Sequence, residues 1–185
     1  MIGTNMARIL VGNYFEEHFA RRLNLVEVDR EKFEINIDLS SRKGDFFLES
    51  KGSAYDNGAV IREKQLFRYI NSGLNIHYGI GFHSHSCKRR MPMKRYKSEK
   101  ILRKNLDVRG MYVFPIEVIS AFYLCRNKIQ GGKLRDSFVL LKESMVKKIL
   151  LGDEMIWDSL NLESSLFQVQ MENDVCKLLR IRNKF

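Results

Sequence analysis

Residues 33–39, Phe-Glu-Ile-Asn-Ile-Asp-Leu, alternate strictly between apolar and polar. A period of two belongs to a strand with one buried face. Phe33, Ile35, Ile37 and Leu39 then point one way, and Glu34, Asn36 and Asp38 the other. The stretch Ser40 to Asp45 is polar and contains Gly44, which predicts a hairpin turn. Phe46 to Ser53 predicts the returning strand. A turn of two residues (Lys43, Gly44) or of four (Arg42 to Asp45) sets residue i opposite residue 87 − i. Asp38 then stands across from Glu49, and Lys51 lies two residues further along on the same face as Glu49. A three-residue turn with Gly44 left-handed would shift the register by one and leave the two acids diagonal.

The same reading places the other elements. Residues 13–23 predict an amphipathic helix, with Tyr14, Phe15, His18 and Phe19 interleaved with Glu16, Glu17, Arg21 and Arg22. Glu17 and Arg21 stand four apart, the spacing of a helical ion pair. Residues 52–58 form a loop between two glycines, and residues 61–72 a helix closed by Gly73. Leu66, Phe67 and Ile70 make its apolar stripe, with Glu63 and Gln65 turned to a cleft. Ile76 to Phe82 predicts an apolar strand. Pro115 opens a helix that runs to Arg126. Phe138 to Leu141 reads as a strand entering a helix from Lys142 to Leu151. The tail, 164–182, reads as a docked helix or two strands.

Composition narrows the class. A chain of 185 residues with 44% hydrophobic residues and two prolines fits a single domain over 1–185, with a core over roughly 10–130 and an extension over 131–185. No apolar run reaches the length of a membrane span, and no signal-peptide pattern opens the chain. Cys87, Cys125 and Cys176 are scattered and form no Cys-x-x-Cys pair, which suits free thiols in a reducing cytoplasm. The formal net charge is +10, which favours a polyanionic partner. From Lys88 to Lys104 nine basic residues stand against one acid, Glu99. Within this run Lys88, Arg89, Arg90, Lys94, Arg95 and Lys97 are the expected contacts to a DNA backbone.

The hairpin carries the candidate chemistry. Two carboxylates held a strand apart repel unless a proton or a cation sits between them. Asp38 and Glu49 can hold a hard divalent ion, and Lys51 can orient or deprotonate a water beside it. Asp45 is a rival to Asp38, but its side chain belongs more naturally to the turn. Glu63 is a candidate third acid, with Arg62, Lys64 or Arg68 as alternative salt-bridge partners. His83, His85 and Cys87 share a strand face like half a zinc site, yet no second ligand pair at metal spacing follows. Walker and Rossmann loops and the Gly-x-Ser-x-Gly elbow are absent.

Taken in order, the helix bearing Glu16 or Glu17, the Asp38 strand, the hairpin, Glu49-Ser50-Lys51, the Gln65 helix and the strand Ile76–Phe82 resemble the PD-(D/E)XK nuclease superfamily. The likeness covers roughly the first half of the chain, and Ile37 replaces the usual proline before Asp38. It implies an α/β fold of the restriction-endonuclease-like kind, a central mixed β-sheet flanked by α-helices. It also implies a Mg²⁺-dependent deoxyribonuclease, with Mn²⁺ as a substitute ion. Asp38 and Glu49 would be its metal ligands, Lys51 its water-positioning residue and double-stranded DNA its substrate. In size and layout the chain resembles the cleavage subunit of a heterodimeric type IIS restriction endonuclease. Such a subunit works with a larger DNA-recognition subunit, and Asp38, Glu49 and Glu63 can be laid on its acidic pattern. A homodimeric Holliday junction resolvase is the enzymatic alternative, because the Glu-Ser-Lys strand followed by a Gln65 helix is similar to those proteins. A non-catalytic basic DNA-binding module is the alternative of another class.

Overall fold

The computed structural model describes residues 4–28, 35–54, 58–85, 98–129 and 138–181. Helix α1 (Thr4–Arg22) leads into strands β1 (Val26–Glu27), β2 (Leu39–Ser40), β3 (Phe47–Ala54) and β4 (Ala59–Arg62). There follow α2 (Glu63–Asn71), β5 (Ile76–His85), α3 (Glu99–Asn105), β6 (Leu106–Pro115) and α4 (Ile116–Ile129). The chain continues through β7 (Phe138–Leu141), α5 (Glu143–Leu150), α6 (Glu154–Leu160), β8 (Phe167–Glu172) and β9 (Val175–Arg180). The result is a mixed α/β fold. Seven strands form one mixed sheet in the order β1-β2-β3-β5-β6-β9-β8, and β4 and β7 pair as a separate antiparallel ribbon.

Side chains alternate across the sheet and supply two cores. On one face Leu48 of β3, Met111 and Val113 of β6 and Val175 of β9 meet Val11, Phe15, Phe19 and Leu23 of α1. Those helical positions recur at intervals of three to four residues or their multiples, so one stripe of α1 is buried. On the other face Phe47 of β3, Ile76, Tyr78, Ile80 and Phe82 of β5 and Phe114 of β6 meet Leu66 and Tyr69 of α2 and Val118, Ile119 and Phe122 of α4. Glycines let α1 approach closely. A Cβ on Gly81 would lie 2.0 Å from the Phe15 ring, and one on Gly52 2.6 Å from it.

The β2–β3 register is the one expected from a four-residue turn. Leu39 pairs with Leu48 and Ser40 with Phe47, and the Ser41 N–H donates to the Phe46 carbonyl at 2.8 Å. Gly44 is left-handed at φ 70°, within a turn closed by its own N–H to the Ser41 carbonyl at 3.0 Å. β3 then runs parallel to β5, with Glu49 beside Tyr78.

Other expectations need correction. Alternation over 33–39 yields only a two-residue strand: residues 29–34 lie outside the described set, and 35–38 approach β2 as irregular chain. Ile37 is buried and Asn36 exposed, but Ile37 packs in the core under α2 and α4 and Leu39 in the core under α1, so the two do not share the face that alternation predicts. The helix expected from Ile61 begins at Glu63. Ile61 pairs instead with Val139 in the β4–β7 ribbon. Phe67 and Ile70 are exposed, and the stripe of α2 is Leu66 with Tyr69. The helix over 13–23 starts earlier, at Thr4.

Expectations for the C-terminal half were closer. Phe138–Leu141 entering a helix is observed. The tail is two strands, joined through Asn173 and Asp174, both with positive φ, as a tight two-residue hairpin requires. Its strand β9 lies parallel to β6, so the tail belongs to the main sheet.

Candidate active site

Glu49 is 3% exposed, on the face of β3 covered by α2. An ionised carboxylate that deep needs partners, and three side chains supply them. Lys51, two residues along the same strand, forms an ion pair with Oε1. Gln65 Nε2 donates to Oε1 at 2.6 Å. The Tyr69 hydroxyl lies 2.6 Å from Oε2 and 2.7 Å from the Asn36 carbonyl, and accepts from Gln65 Nε2 at 3.0 Å. Gln65 and Tyr69 stand four apart on α2, which puts both on one helix face.

Burial pushes the Tyr69 phenol well above its ordinary range, and the negative charge of Glu49 adds to the shift. Tyr78, beside Glu49 in the sheet, is raised for the same two reasons in the same order. Both hydroxyls therefore stay protonated, and Tyr69 can serve Glu49 as a donor.

Asp38 comes to this cluster from the irregular chain that leads into β2. It lies one residue before the β2–β3 ladder, which ends at Leu39–Leu48. Its Oδ2 accepts a hydrogen bond at 2.8 Å from the N–H of Ser50, the residue between Glu49 and Lys51. Two acids and an ammonium are thus held on β3 and on the chain that enters β2. Asp45, the rival acid, is engaged in the turn: Ser41 Oγ donates to its carboxylate at 2.5 Å, and its own N–H donates back to Ser41 Oγ at 3.2 Å.

Not every expected residue joins them. Glu63 is the first residue of α2, and successive helical positions turn by about 100°. It therefore projects roughly opposite to Gln65, and the side chains described around Glu49 are Lys51, Gln65 and Tyr69. Glu17 does not pair with Arg21. Arg103 of α3 grips it with two hydrogen bonds, at 2.7 and 2.8 Å, and holds its carboxyl below the usual range. Glu16 and Glu17 line a separate cleft with Asn13, Ala20, Glu27 and Leu39. His83 is buried beneath α1 against Phe15, and Cys87 lies outside the described residues. So do Lys88, Arg89, Arg90, Lys94, Arg95 and Lys97 of the basic run.

The donor set suits a hard cation. Asp38 and Glu49 offer carboxylate oxygens. Mg²⁺ is commonly held by one or two carboxylates, with water and substrate phosphate completing its shell. Among the described residues no group of three or more His, Cys, Asp or Glu side chains gathers around one point, so a closed, all-protein cage of the zinc type is not formed there. Cys125 and Cys176 are free thiols.

Tyr69 was missed by reading the sequence, because an aromatic residue on an amphipathic helix reads as core. Its spacing of four from Gln65 was the available signal. Also missed was the character of the adjoining space. A cleft of about 590 Å³ opens at Lys51 and is lined by Asn36, Val60, Arg62, Lys64, Gln65 and Arg68.

No helix among the described residues is long and apolar enough to cross a membrane. No family model matches this chain, and neither a curated protein nor a solved structure matches it.

Proposed function

We propose that this chain is a Mg²⁺-dependent endodeoxyribonuclease of the PD-(D/E)XK type, hydrolysing one strand of double-stranded DNA at each site. The observation that carries the reading is the approach of Asp38 to the Glu49-Ser50-Lys51 strand, through the hydrogen bond from the Ser50 N–H to its carboxylate. The order helix, strand, hairpin, Glu-x-Lys strand, helix, parallel strand supports a restriction-endonuclease-like sheet.

Asp38 and Glu49 would hold the ion. Bound Mg²⁺ would polarise the scissile phosphate and acidify an attacking water. Lys51, on the same strand face, orients that water and balances the negative charge that gathers on the phosphoryl oxygens during attack. Gln65 and Tyr69 fix the rotamer of Glu49, so the carboxylate is set before substrate arrives. The products would carry a 5′-phosphate, as the superfamily resemblance implies.

One site cuts one strand, so a double-strand break requires a second catalytic chain. In the heterodimeric reading, a larger DNA-recognition subunit supplies it. The homodimeric, junction-resolvase-like reading has one observation in its favour: Gln65 rather than Glu63 touches Glu49.

Lys51→Ala tests the activity. It should abolish Mg²⁺-dependent nicking of plasmid DNA while leaving DNA affinity nearly unchanged. Undiminished cleavage by a clean preparation of the variant would reject the enzyme. Incubation with a four-way junction and with a linear duplex, without other proteins, separates the assemblies. Junction cutting by the isolated chain supports the homodimer, and idleness on both substrates supports the heterodimer.

A further inference from the structure

We infer that the cleft beside Glu49 is a phosphate cradle in which Arg62, Lys64 and Arg68 grip the backbone of the DNA strand that passes Lys51. The inference deepens the nuclease reading and rests on it for the identity of the polyanion.

Four cationic side chains line this cleft: Lys51 on β3, Arg62 at the end of β4, and Lys64 and Arg68 on α2. The remaining lining residues among those described are Asn36, Val60 and Gln65, and no described carboxylate is among them. Several cations elsewhere in the molecule pair with acids. Arg22 pairs with Asp174, Arg103 with Glu17 and Glu99, Lys147 with Glu143, and Lys177 with Glu172. Arg62, Lys64 and Arg68 form no ion pair among the described residues, and all three are exposed.

The folding of α2 does not account for them. Arg62 is the residue that caps the N-terminus, and its side chain makes no capping hydrogen bond. Positive charge there opposes the helix dipole, which Glu63 offsets only in part. Lys64 and Arg68, four residues apart, repel one another on one helix flank. A polyanion in the cleft relieves both costs.

The spacing suits a nucleic-acid strand. Arg62 and Arg68 are six residues apart, or about 9 Å along the helix axis. One strand of duplex DNA advances about 3.4 Å along its axis per phosphate, so the row spans two to three phosphates. Gln65 lies between the cations and touches Glu49, so a strand held by the row is led to the acids. These contacts fix position along the strand and carry no base identity.

The experiment measures binding of a short duplex to the full chain in Ca²⁺, over a range of NaCl concentrations. Arg62→Ala/Arg68→Ala should flatten the slope of log K against log salt by about 1.8, close to 0.9 for each phosphate that is no longer neutralised. Arg62→Lys/Arg68→Lys should retain most of the slope. Arg21→Ala/Lys104→Ala, on α1 and α3, should leave it unchanged. A melting curve for each variant confirms folding. An unchanged slope in the Arg62/Arg68 variant, or no binding by the wild-type chain, overturns the cradle. If the slope falls as expected but Lys51→Ala cleaves in Mg²⁺ as well as the wild-type chain does, the cradle stands and the nuclease reading fails.

Discussion

Glu49 on β3 and Glu143 in the first turn of α5 are both buried, at 3% and 4% exposure, and each has a lysine and a tyrosine hydroxyl for company. Glu143 pairs with Lys147, one turn along its own helix at 2.9 Å, and receives a long hydrogen bond from Tyr112 of β6 at 3.4 Å. That set ties a helix to a strand. Glu49 is held by Lys51 on its own strand and by two residues of α2, with a second acid across the hairpin and a cation-lined cleft beginning at its lysine. The contrast teaches that a buried carboxylate with a lysine and a phenol is not by itself a site. A nearby second acid and an open approach for an anion make the difference. Tyrosine chemistry follows the same division. Burial, and then Glu143, push Tyr112 to about 12, whereas Tyr69 is raised further.

The strongest way to break this contrast is to neutralise each acid. Glu49→Gln should lower Mg²⁺-dependent cleavage by about 10³-fold or more, or about 4 kcal/mol in transition-state stabilisation. Glu143→Gln should leave it within about twofold. Single-turnover nicking assays read both, and equal losses would erase the distinction.

Acid stability comes next in size. His77 is 7% exposed and stacked on Phe46, with ring centroids 4.5 Å apart. Burial, assisted by the charge of Lys177, lowers its pKa from 6.5 to about 4, against a backbone hydrogen bond at Asn75 that raises it. Between these values the unfolded chain binds the proton and the folded chain does not. Stability present above pH 6.5 is therefore lost as pH falls towards 4, by roughly 3 kcal/mol in all. Denaturant midpoints for His77→Gln should fall less over that window than those of the wild type. Parallel curves would remove His77 as the cause of the loss.

The smallest effect sharpens the comparison. Tyr69→Phe removes a 2.6 Å hydrogen bond from Glu49 and should lower kcat about tenfold, near 1.4 kcal/mol, with KM unchanged. Tyr112→Phe removes only the 3.4 Å hydrogen bond and should leave kcat alone, at a stability cost under about 1 kcal/mol. A rise in KM for Tyr69→Phe would mean that the phenol acts on substrate binding rather than on the placement of Glu49.

Local chemistry made the hairpin legible. A polar turn and one glycine were enough to give the register in which Leu39 pairs with Leu48 and Ser40 with Phe47, while Asp38 lies one residue beyond that ladder and meets β3 through the Ser50 N–H. What escaped were features that depend on distant residues. Ile61 precedes a run of good helix formers, yet pairing with Val139, 78 positions away, holds it in a strand. Arg103 reaches Glu17 across 86 positions, and no helical spacing rule anticipates that partner. Arg62, Lys64 and Arg68 resemble an ordinary solvated face until β3 and α2 set them around one cleft.

Phe15 of α1 rests over Gly52 and Gly81, and those two glycines are direct partners in the β3–β5 ladder. A single aromatic ring therefore inspects the alignment of both strands at once. If β5 slipped by one residue, Ile80 or Phe82 would replace Gly81 as the partner of Gly52, the faces of β5 would invert, and the ring would lose its seat. The helix on one side of the sheet thereby proofreads the strand register that sets Glu49 beside Tyr78 on the opposite side.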